Sequence, residues 1–250
     1  MTPLDIESVR RQLPGRRLAW FETLRSTMHE AARMAAAGCP AGTAVVAEEQ
    51  TAGQGRHGHA WHSEPGAGLY VSVVLRLSLP PDSLPALTLA LGLATAEAIA
   101  RACDISVDLR WPNDVMIADR KVAGILVQLA DSVAIAGIGV NVNHGAFPPE
   151  LAVQAASLRQ ATGATQSRED LLIALLPAID SFTKMLVEGG PRPVLDMFTR
   201  RSSYARGRRV RVEQPGGVLE GVTAGLNPSG FLILRADDGS ESLILAGGVR

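Results

Sequence analysis

Two cysteines, Cys39 and Cys103, are all that the 250 residues contain, and they show no metal-ligand spacing. They read as free thiols in a reducing cytosol. Charge of one sign is missing as well: 24 basic against 25 acidic side chains leave a formal net charge of -1, so no global field recruits nucleic acid or an anionic membrane. The most lipid-like stretch, residues 84–96, is interrupted by Pro85, Thr88, Gly92 and Thr95 and falls short of the roughly 20 apolar residues that a spanning helix needs. Asp5 and Glu7 precede any apolar run, which is wrong for a secretory signal. A cytoplasmic protein without a membrane partner is expected. Internal repeats, low-complexity tracts and the His-Arg-Asp and Asp-Phe-Gly sets of protein kinases are all missing.

What is present is an ordinary soluble composition, 46% apolar and 20% charged, in a chain long enough for one good-sized core or for one domain with a small appendage. The chain is organised around Gly53-Gln54-Gly55-Arg56-His57-Gly58. Three glycines let the backbone approach a ligand closely, and Arg56 adds a cationic fork suited to carboxylate or phosphate. The string has the form G-x-G-x-x-G, but a dinucleotide site requires a helix to open at its last glycine. Here a turn at residues 63–68 and the strand-forming run 69–75 follow instead. A loop between two strands that holds an anion fits, and so does a plain surface turn.

In chain order, residues 4–13 predict a short helix ended by Pro14-Gly15, and residues 18–24 a strand. Thr27 and Glu30 have capping-box spacing before an alanine-rich helix stopped by Gly38, and a helix N-terminus at Ser26 and Thr27 also offers free N–H groups to a polar ligand. Strands are expected at 43–48 and 69–79, on either side of the glycine loop, and a buried helix at 86–102. A strand at 107–111 runs into Trp111-Pro112-Asn113-Asp114. Residues 115–117 and 122–129 then form a hairpin that sets Lys121 at the start of its second arm. After a turn at Asp131-Ser132, residues 133–142, with Gly137 and Gly139, suit a fully buried strand. Pro148-Pro149 opens a polar stretch, followed by helical periodicity over 168–187 and 194–201. Four short strands at 208–213, 218–226, 231–235 and 240–245, punctuated by turns at Pro215-Gly216-Gly217, 227–230 and 237–239, close the chain. They predict a small β-barrel of about 45 residues, too small to be very stable alone and docked on the main domain. Strands in a meander outnumber crossover helices, which favours α+β over a doubly wound sheet.

Four clusters converge at strand ends in this reading: Ser26 with Thr27, Gln50 through Arg56, Trp111 to Lys121, and Asn141 with Asn143. One Arg, one Lys, several glycines and amides, without a nucleophile paired to a base, suit stabilisation of developing phosphate charge rather than acyl-enzyme chemistry. Asn113 and Asp114 fit a simple turn after Pro112, and Asp114 equally fits an oxygen ligand for Mg²⁺ bridging substrate phosphates. His57, His59 and His62 lack a nearby Cys or acidic residue that completes a metal set and read as a solvated, mobile loop.

Taken together, the segments resemble the bacterial biotin protein ligases. The matching pieces are Arg25-Ser26-Thr27, the run from Glu49 to Gly58, Trp61 with Leu69-Tyr70-Val71-Ser72, Trp111-Pro112-Asn113-Asp114, the run from Arg120 to Leu126, and the run from Gly137 to Val142. They occur in the family's order over about half the chain. The resemblance implies a mixed-sheet α+β catalytic domain of the class II aminoacyl-tRNA synthetase/biotin synthetase type over residues 1–203, with an SH3-like domain over 204–250. It implies Mg²⁺ with ATP, biotin and ATP as substrates, and a biotin carboxyl carrier protein or domain as partner. Biotin's carboxylate attacks the α-phosphate, and a carrier lysine then attacks the biotinyl-adenylate. It further implies that Ser26, Thr27, Met28 and Gln50 hold biotin and that Gly53, Gln54, Gly55 and Arg56 close over it and the adenylate. Lys121 meets the carboxylate and α-phosphate, Trp61 and Asn141 flank the adenine, and Asn113 and Asp114 complete the nucleotide side.

Met28, Gln54 and His57 depart from the Asn, Arg and Arg common in the family. The chain begins almost directly at the catalytic domain, so no operator-binding module is expected, and Arg206, Arg208, Arg209 and Arg211 alternate across a strand rather than forming a DNA-binding patch. A homodimer is left open. A lipoate or octanoate ligase or transferase of the same fold, and a non-catalytic biotin sensor, are the alternatives.

Overall fold

The computed structural model describes residues 3–130, 133–214 and 217–249, so the expected turns at Asp131-Ser132 and Pro215-Gly216 lie outside the described residues. The helices are α1 (Ile6–Gln12), α2 (Thr27–Ala36), α3 (Leu84–Cys103), α4 (Pro149–Ala152), α5 (Leu158–Thr162), α6 (Arg168–Gly189) and α7 (Pro191–Arg201). The strands are β1 (Leu18–Leu24), β2 (Ala44–Gln50), β3 (Gly68–Leu75), β4 (Asp108–Arg110), β5 (Asp114–Ile117), β6 (Arg120–Ala130), β7 (Val133–Asn141), β8 (Arg206–Gln214), β9 (Gly217–Leu226), β10 (Leu232–Arg235) and β11 (Glu241–Ile244).

Strands β1 to β7 form one mixed sheet in the order β1-β2-β3-β7-β6-β5-β4. Only β1 and β2 run parallel, and the remaining neighbours are antiparallel. Period-2 alternation splits each inner strand between two faces. Leu69, Val71 and Val73 of β3, with Ala136, Ile138 and Val140 of β7, join the larger core, to which the buried sides of α3, α6 and α7 contribute. Val45, Val74 and Ile135 point the other way, against Met28, Ala31 and Met34 of α2. Among the described residues α3 is long and apolar enough to cross a bilayer, yet 67% of its most apolar window is buried inside the protein, so its hydrophobicity is that of a core helix.

Strands β8 to β11 form a second, antiparallel sheet in the order β11-β10-β9-β8. A bridge from Val249 to Val212 brings the chain beyond β11 back to β8, as in an SH3-like fold. The sheet shares its core with the main domain through Val210, Val212, Leu232 and Leu234. A polar clasp adds to this: the Trp111 indole donates to Gly230 O at 3.0 Å. The expected small docked barrel is therefore present.

Three local expectations change. Thr27 and Glu30 make no capping box: Ser26 is the N-cap, in extended conformation and without a side-chain cap bond, while Glu30 pairs with Arg33. The Thr27 hydroxyl is instead taken by Gln50 and Ser72. The polar stretch after Pro148 contains α4 and α5, the latter opened by a true capping box of Ser157 and Gln160. Strand β3 ends at Leu75 rather than continuing to residue 79, because the chain there leaves the sheet toward Pro80 and the single turn before α3.

One buried ion pair ties the first turn of α6 to β2. Arg168 Nη1 donates to Glu48 Oε2 at 2.8 Å and Nη2 to Oε1 at 3.2 Å, with both side chains less than a tenth exposed. Glu48 also accepts from Leu4 N. Removing one member of such a pair leaves a buried charge without its counter-charge, so Arg168→Ala should cost about 3–5 kcal/mol in urea unfolding. The double variant Glu48→Gln with Arg168→Met should recover much of that loss. A single-variant cost below about 1 kcal/mol, the value of an exposed pair, would show that water replaces the arginine.

Candidate functional site

Three of the four sequence clusters meet in one pocket, and the fourth, Asn141 with Asn143, stays outside its lining. Thr27, Met28, Gln50, Gln54, Gly55, Arg56, Trp61, Asn113 and Lys121 line one pocket on the α2 side of the large sheet, together with Gly124, Ile125, Leu126, Gly137, Ile138 and Gly139.

Its floor is bare backbone. The antiparallel registers set Gly139 opposite both Tyr70 and Gly124, and Gly137 opposite both Ser72 and Leu126. A methyl at Gly139 would overlap the Trp61 indole, and one at Gly124 would lie 2.8 Å from Trp61 Cζ3 and 2.9 Å from Lys121 Cε. One at Gly137 would lie 2.5 Å from Met28 Sδ. Isolated glycines inside strands mark close approach of another group; that signal was in the sequence, but Gly124, Gly137 and Gly139 were not expected as walls of the site.

Lys121 reaches the pocket because of a bulge. Register passes from Val115–Ala123 to Met116–Lys121, leaving Val122 as the extra residue. The bulge reverses the alternation, so Val122 and Ala123 are buried in the core while Lys121 shares a face with Gly124. Its backbone is fixed by Lys121 N donating to Gln154 O at 2.7 Å and by Ala156 N donating to Lys121 O at 3.0 Å. Asn141 is not one of the lining residues. Its amide donates to Lys121 O at 3.3 Å and Ala156 O at 3.1 Å, which braces the lysine from behind.

The glycine loop is a small hairpin. Gly55 N donates to His59 O at 2.7 Å, Trp61 N donates to Gly53 O at 2.9 Å, and Gln54 bridges to Ala60. Its tip turns through His57 (φ 56°) and Gly58 (φ 77°). Gly53 sits behind the wall, where a Cβ would meet Trp61 O at 2.6 Å. Arg56 folds back over the pocket and donates from Nη1 to Asn113 Oδ1 at 3.1 Å. Burial draws the Arg56 pKa below its ordinary value, with Asp114 acting the other way, and an arginine so placed stays charged.

At the far end Thr27 N and Oγ1 both donate to Gln50 Oε1, at 2.8 and 3.1 Å, while Ser72 Oγ donates to Thr27 Oγ1 at 2.7 Å and Gln50 Nε2 to Ser63 Oγ at 3.0 Å. Ser63 and Ser72 were not expected as members of this network. Ser26 is buried beside it, and its hydroxyl has no partner among the described residues. Gln54 Oε1 and Trp61 Nε1 are likewise buried without partners among the described residues. Unpaired buried donors and acceptors are costly, and three so close to one pocket suit a polar ligand.

Asp114 is fully engaged. Its Oδ2 accepts from Arg110 Nη2 at 2.8 Å, and its Oδ1 lies 2.5 Å from Lys121 Nζ as an ion pair, though outside good hydrogen-bond geometry. Burial pushes this carboxyl up, and the Lys121 and Arg110 charges outweigh burial, leaving it below the usual carboxylate value. Two cations thus occupy the group expected to hold Mg²⁺, so Asp114 fits a residue that aims Lys121 better than a metal ligand. Lys121 Nζ also lies 5.4 Å from the Trp61 ring centroid.

A mixed sheet with a glycine-floored pocket, covered by a cationic hairpin and followed by an SH3-like module, defines an α+β ligand-binding architecture. The chain belongs to the Biotin/lipoate A/B protein ligase family, which it matches over residues 20–144, and residues 206–249 match the Biotin protein ligase C terminal domain. It is 34% identical over 94% of its length to the bifunctional ligase/repressor BirA of Bacillus subtilis, covering 74% of that protein. It is 32% identical to the biotin--[acetyl-CoA-carboxylase] ligase of Mycobacterium tuberculosis over 98% of this chain and 94% of that one. Among solved structures, the biotin protein ligase from Aquifex aeolicus in complex with biotin and ATP superposes with a TM-score of 0.83 at 32% identity, over 94% of this chain and 98% of that one.

The glycine floor makes a prediction that needs no ligand. In protein labelled with fluorotryptophan, Gly139→Ala should shift the Trp61 resonance, identified by its loss in Trp61→Phe, and leave those of Trp20 and Trp111 in place. An unmoved Trp61 signal would show that the ring is seated by something other than the bare strand.

Proposed function

We infer that this chain joins biotin to one lysine of a biotin carboxyl carrier domain in the cytoplasm, using ATP and passing through biotinyl-5'-adenylate. The observation that carries this reading is the convergence of Lys121 and Arg56 over a backbone floor, with a polar network at the opposite end. Biotin's ureido ring meets Thr27, Gln50 and Ser26, its bicycle lies against Met28 and the glycine strand, and its carboxylate points toward Lys121. The carboxylate oxygen then attacks the α-phosphorus and pyrophosphate leaves. Negative charge grows on the α-phosphate oxygens as that bond forms, and preorganised cations stabilise such charge most where water is excluded. In the second step the neutral amine of the carrier lysine attacks the acyl carbon, AMP departs, and the amide nitrogen loses its proton. Trp61 and Asn113 border the nucleotide, and Asn141 supports Lys121 through its backbone. Magnesium would enter with the ATP phosphates, and Asp114, held by two cations, would orient Lys121 rather than ligate the ion.

No specific DNA binding is expected in this reading, in which two of the four β8 arginines are engaged within the protein. Arg208 pairs with Asp119 at 2.7 Å and covers the Tyr204 ring at 3.8 Å, and Arg209 pairs with Asp237 at 2.8 Å.

ATP-dependent release of pyrophosphate with biotin, and not with lipoate or octanoate, tests the reading directly. Lys121→Ala should lower adenylate formation by ~10² to 10³ while biotin binding is largely kept; near-normal formation would remove Lys121 from the mechanism. Arg56 supplies a charge-assisted contact of about 1.5–3 kcal/mol that helps hold the loop over the adenylate. In Arg56→Gly the activated acid should escape and label lysines of a non-carrier protein, compared with wild type at matched adenylation rates. Equal leakage from both would deny Arg56 that role.

A further inference from the structure

A second cluster of ligating side chains lies outside the pocket, where the chain leaving the glycine hairpin meets the turn after β7. We propose that His62, Glu64 and His144 form a site for a divalent transition metal of the zinc class.

One donor atom from each of the three residues lies within 4.8 Å of the others. Two imidazoles and a carboxylate are a common three-ligand set for zinc, leaving a fourth position for water or another ligand, whereas magnesium and calcium prefer oxygen donors alone. The sequence view of His62 as part of a solvated loop is corrected here: the completing residue is 82 positions away from it, at His144, and reaches it only through the fold.

The condition of each donor favours the assignment. His144 is wholly buried, and its Nδ1 has no hydrogen-bond partner among the described residues. Its ring is held by stacking on Phe147, with centroids 5.0 Å apart and planes at 18°. The His62 ring lies 5.8 Å from that of His144, tilted at 48°. Among the described residues, neither the His62 ring nor the Glu64 carboxylate makes a hydrogen bond or ion pair, and both residues are only half-buried. The segment that carries them is also positioned: the Tyr70 hydroxyl donates to Glu64 O at 3.0 Å and stands 3.5 Å from His144 Nε2. Supporting groups of this kind orient metal ligands. A purely aromatic cluster would account for His144 against Phe147, but it leaves the carboxylate of Glu64 beside two imidazoles without a purpose.

A bound ion would join residues 62–64 to residue 144, and so fix the chain next to Trp61. None of the three ligands lines the biotin pocket, so the proposal stands or falls separately from the ligase reading.

The test uses the untagged full-length protein, stripped with a chelator and studied without biotin or ATP. Zn²⁺ is titrated calorimetrically, and Co²⁺ is followed by its visible absorption. Saturation at one equivalent is expected, with a rise in melting temperature as binding to the native state requires. His62→Ala and Glu64→Gln alter half-buried side chains and should fold, as circular dichroism will check; each should weaken binding at least about tenfold. Lys121→Ala, Cys39→Ser and Cys103→Ser should bind as wild type does. Substoichiometric binding, or binding that survives both His62→Ala and Glu64→Gln, would overturn the proposal.

Discussion

A ligand can lie flat on a β-sheet only where side chains are missing, and strand register decides whether the gaps coincide. Here three glycines from two adjacent strands fall on one face, with Gly124 opposite Gly139 and Gly137 beside Leu126. Shifting β6 against β7 by one residue would turn Ala123 and Ile125 into the pocket and Gly124 into the core. The apolar partners of those residues, Val140 and Ile138, make that slip expensive. The site is thus specified by the packing on the opposite side of the sheet.

Charge is arranged on the same frame. The bulge at Val122 aims Lys121 at the floor, Asp114 holds its ammonium, and Lys121 and Arg110 together keep Asp114 ionised. An ammonium placed this way needs little reorganisation when negative charge develops next to it. Arg56 is parked on Asn113, a neutral acceptor that gives it up more readily than a carboxylate would.

Much of this was legible in the sequence. The α+β class, the hairpin carrying Lys121 and the convergence of Thr27, Gln50, Arg56 and Lys121 follow from turn residues, alternation and the short motifs, because those signals are local. The capping box at Thr27 was misread because a hydroxyl three residues before a glutamate has the same spacing whether it caps the helix or bonds to Gln50 and Ser72 on other strands. Asp114 reads as an unengaged carboxylate in the sequence because its two cationic partners, Arg110 and Lys121, take their places only through strand pairing. The glycine floor depends on register between β3, β6 and β7, and no single segment states it. His62 looked solvated because its neighbour His144 comes from a distant turn.

The hairpin that presents Lys121 turns through Ala118 (φ 46°) and Asp119 (φ 59°), left-handed positions that glycine or asparagine would fill with less strain. Asp119 is held there by the Tyr204 hydroxyl at 2.5 Å and by Arg208 at 2.7 Å, both at the entrance to the C-terminal sheet. The small domain is therefore a splint as well as an appendage, since its Tyr204 and Arg208 hold a turn two residues from the lysine. A C-terminal module exchanged from a relative would need to bring its own aromatic and guanidinium to that spot, so the two parts of the chain are free to diverge only as a matched pair.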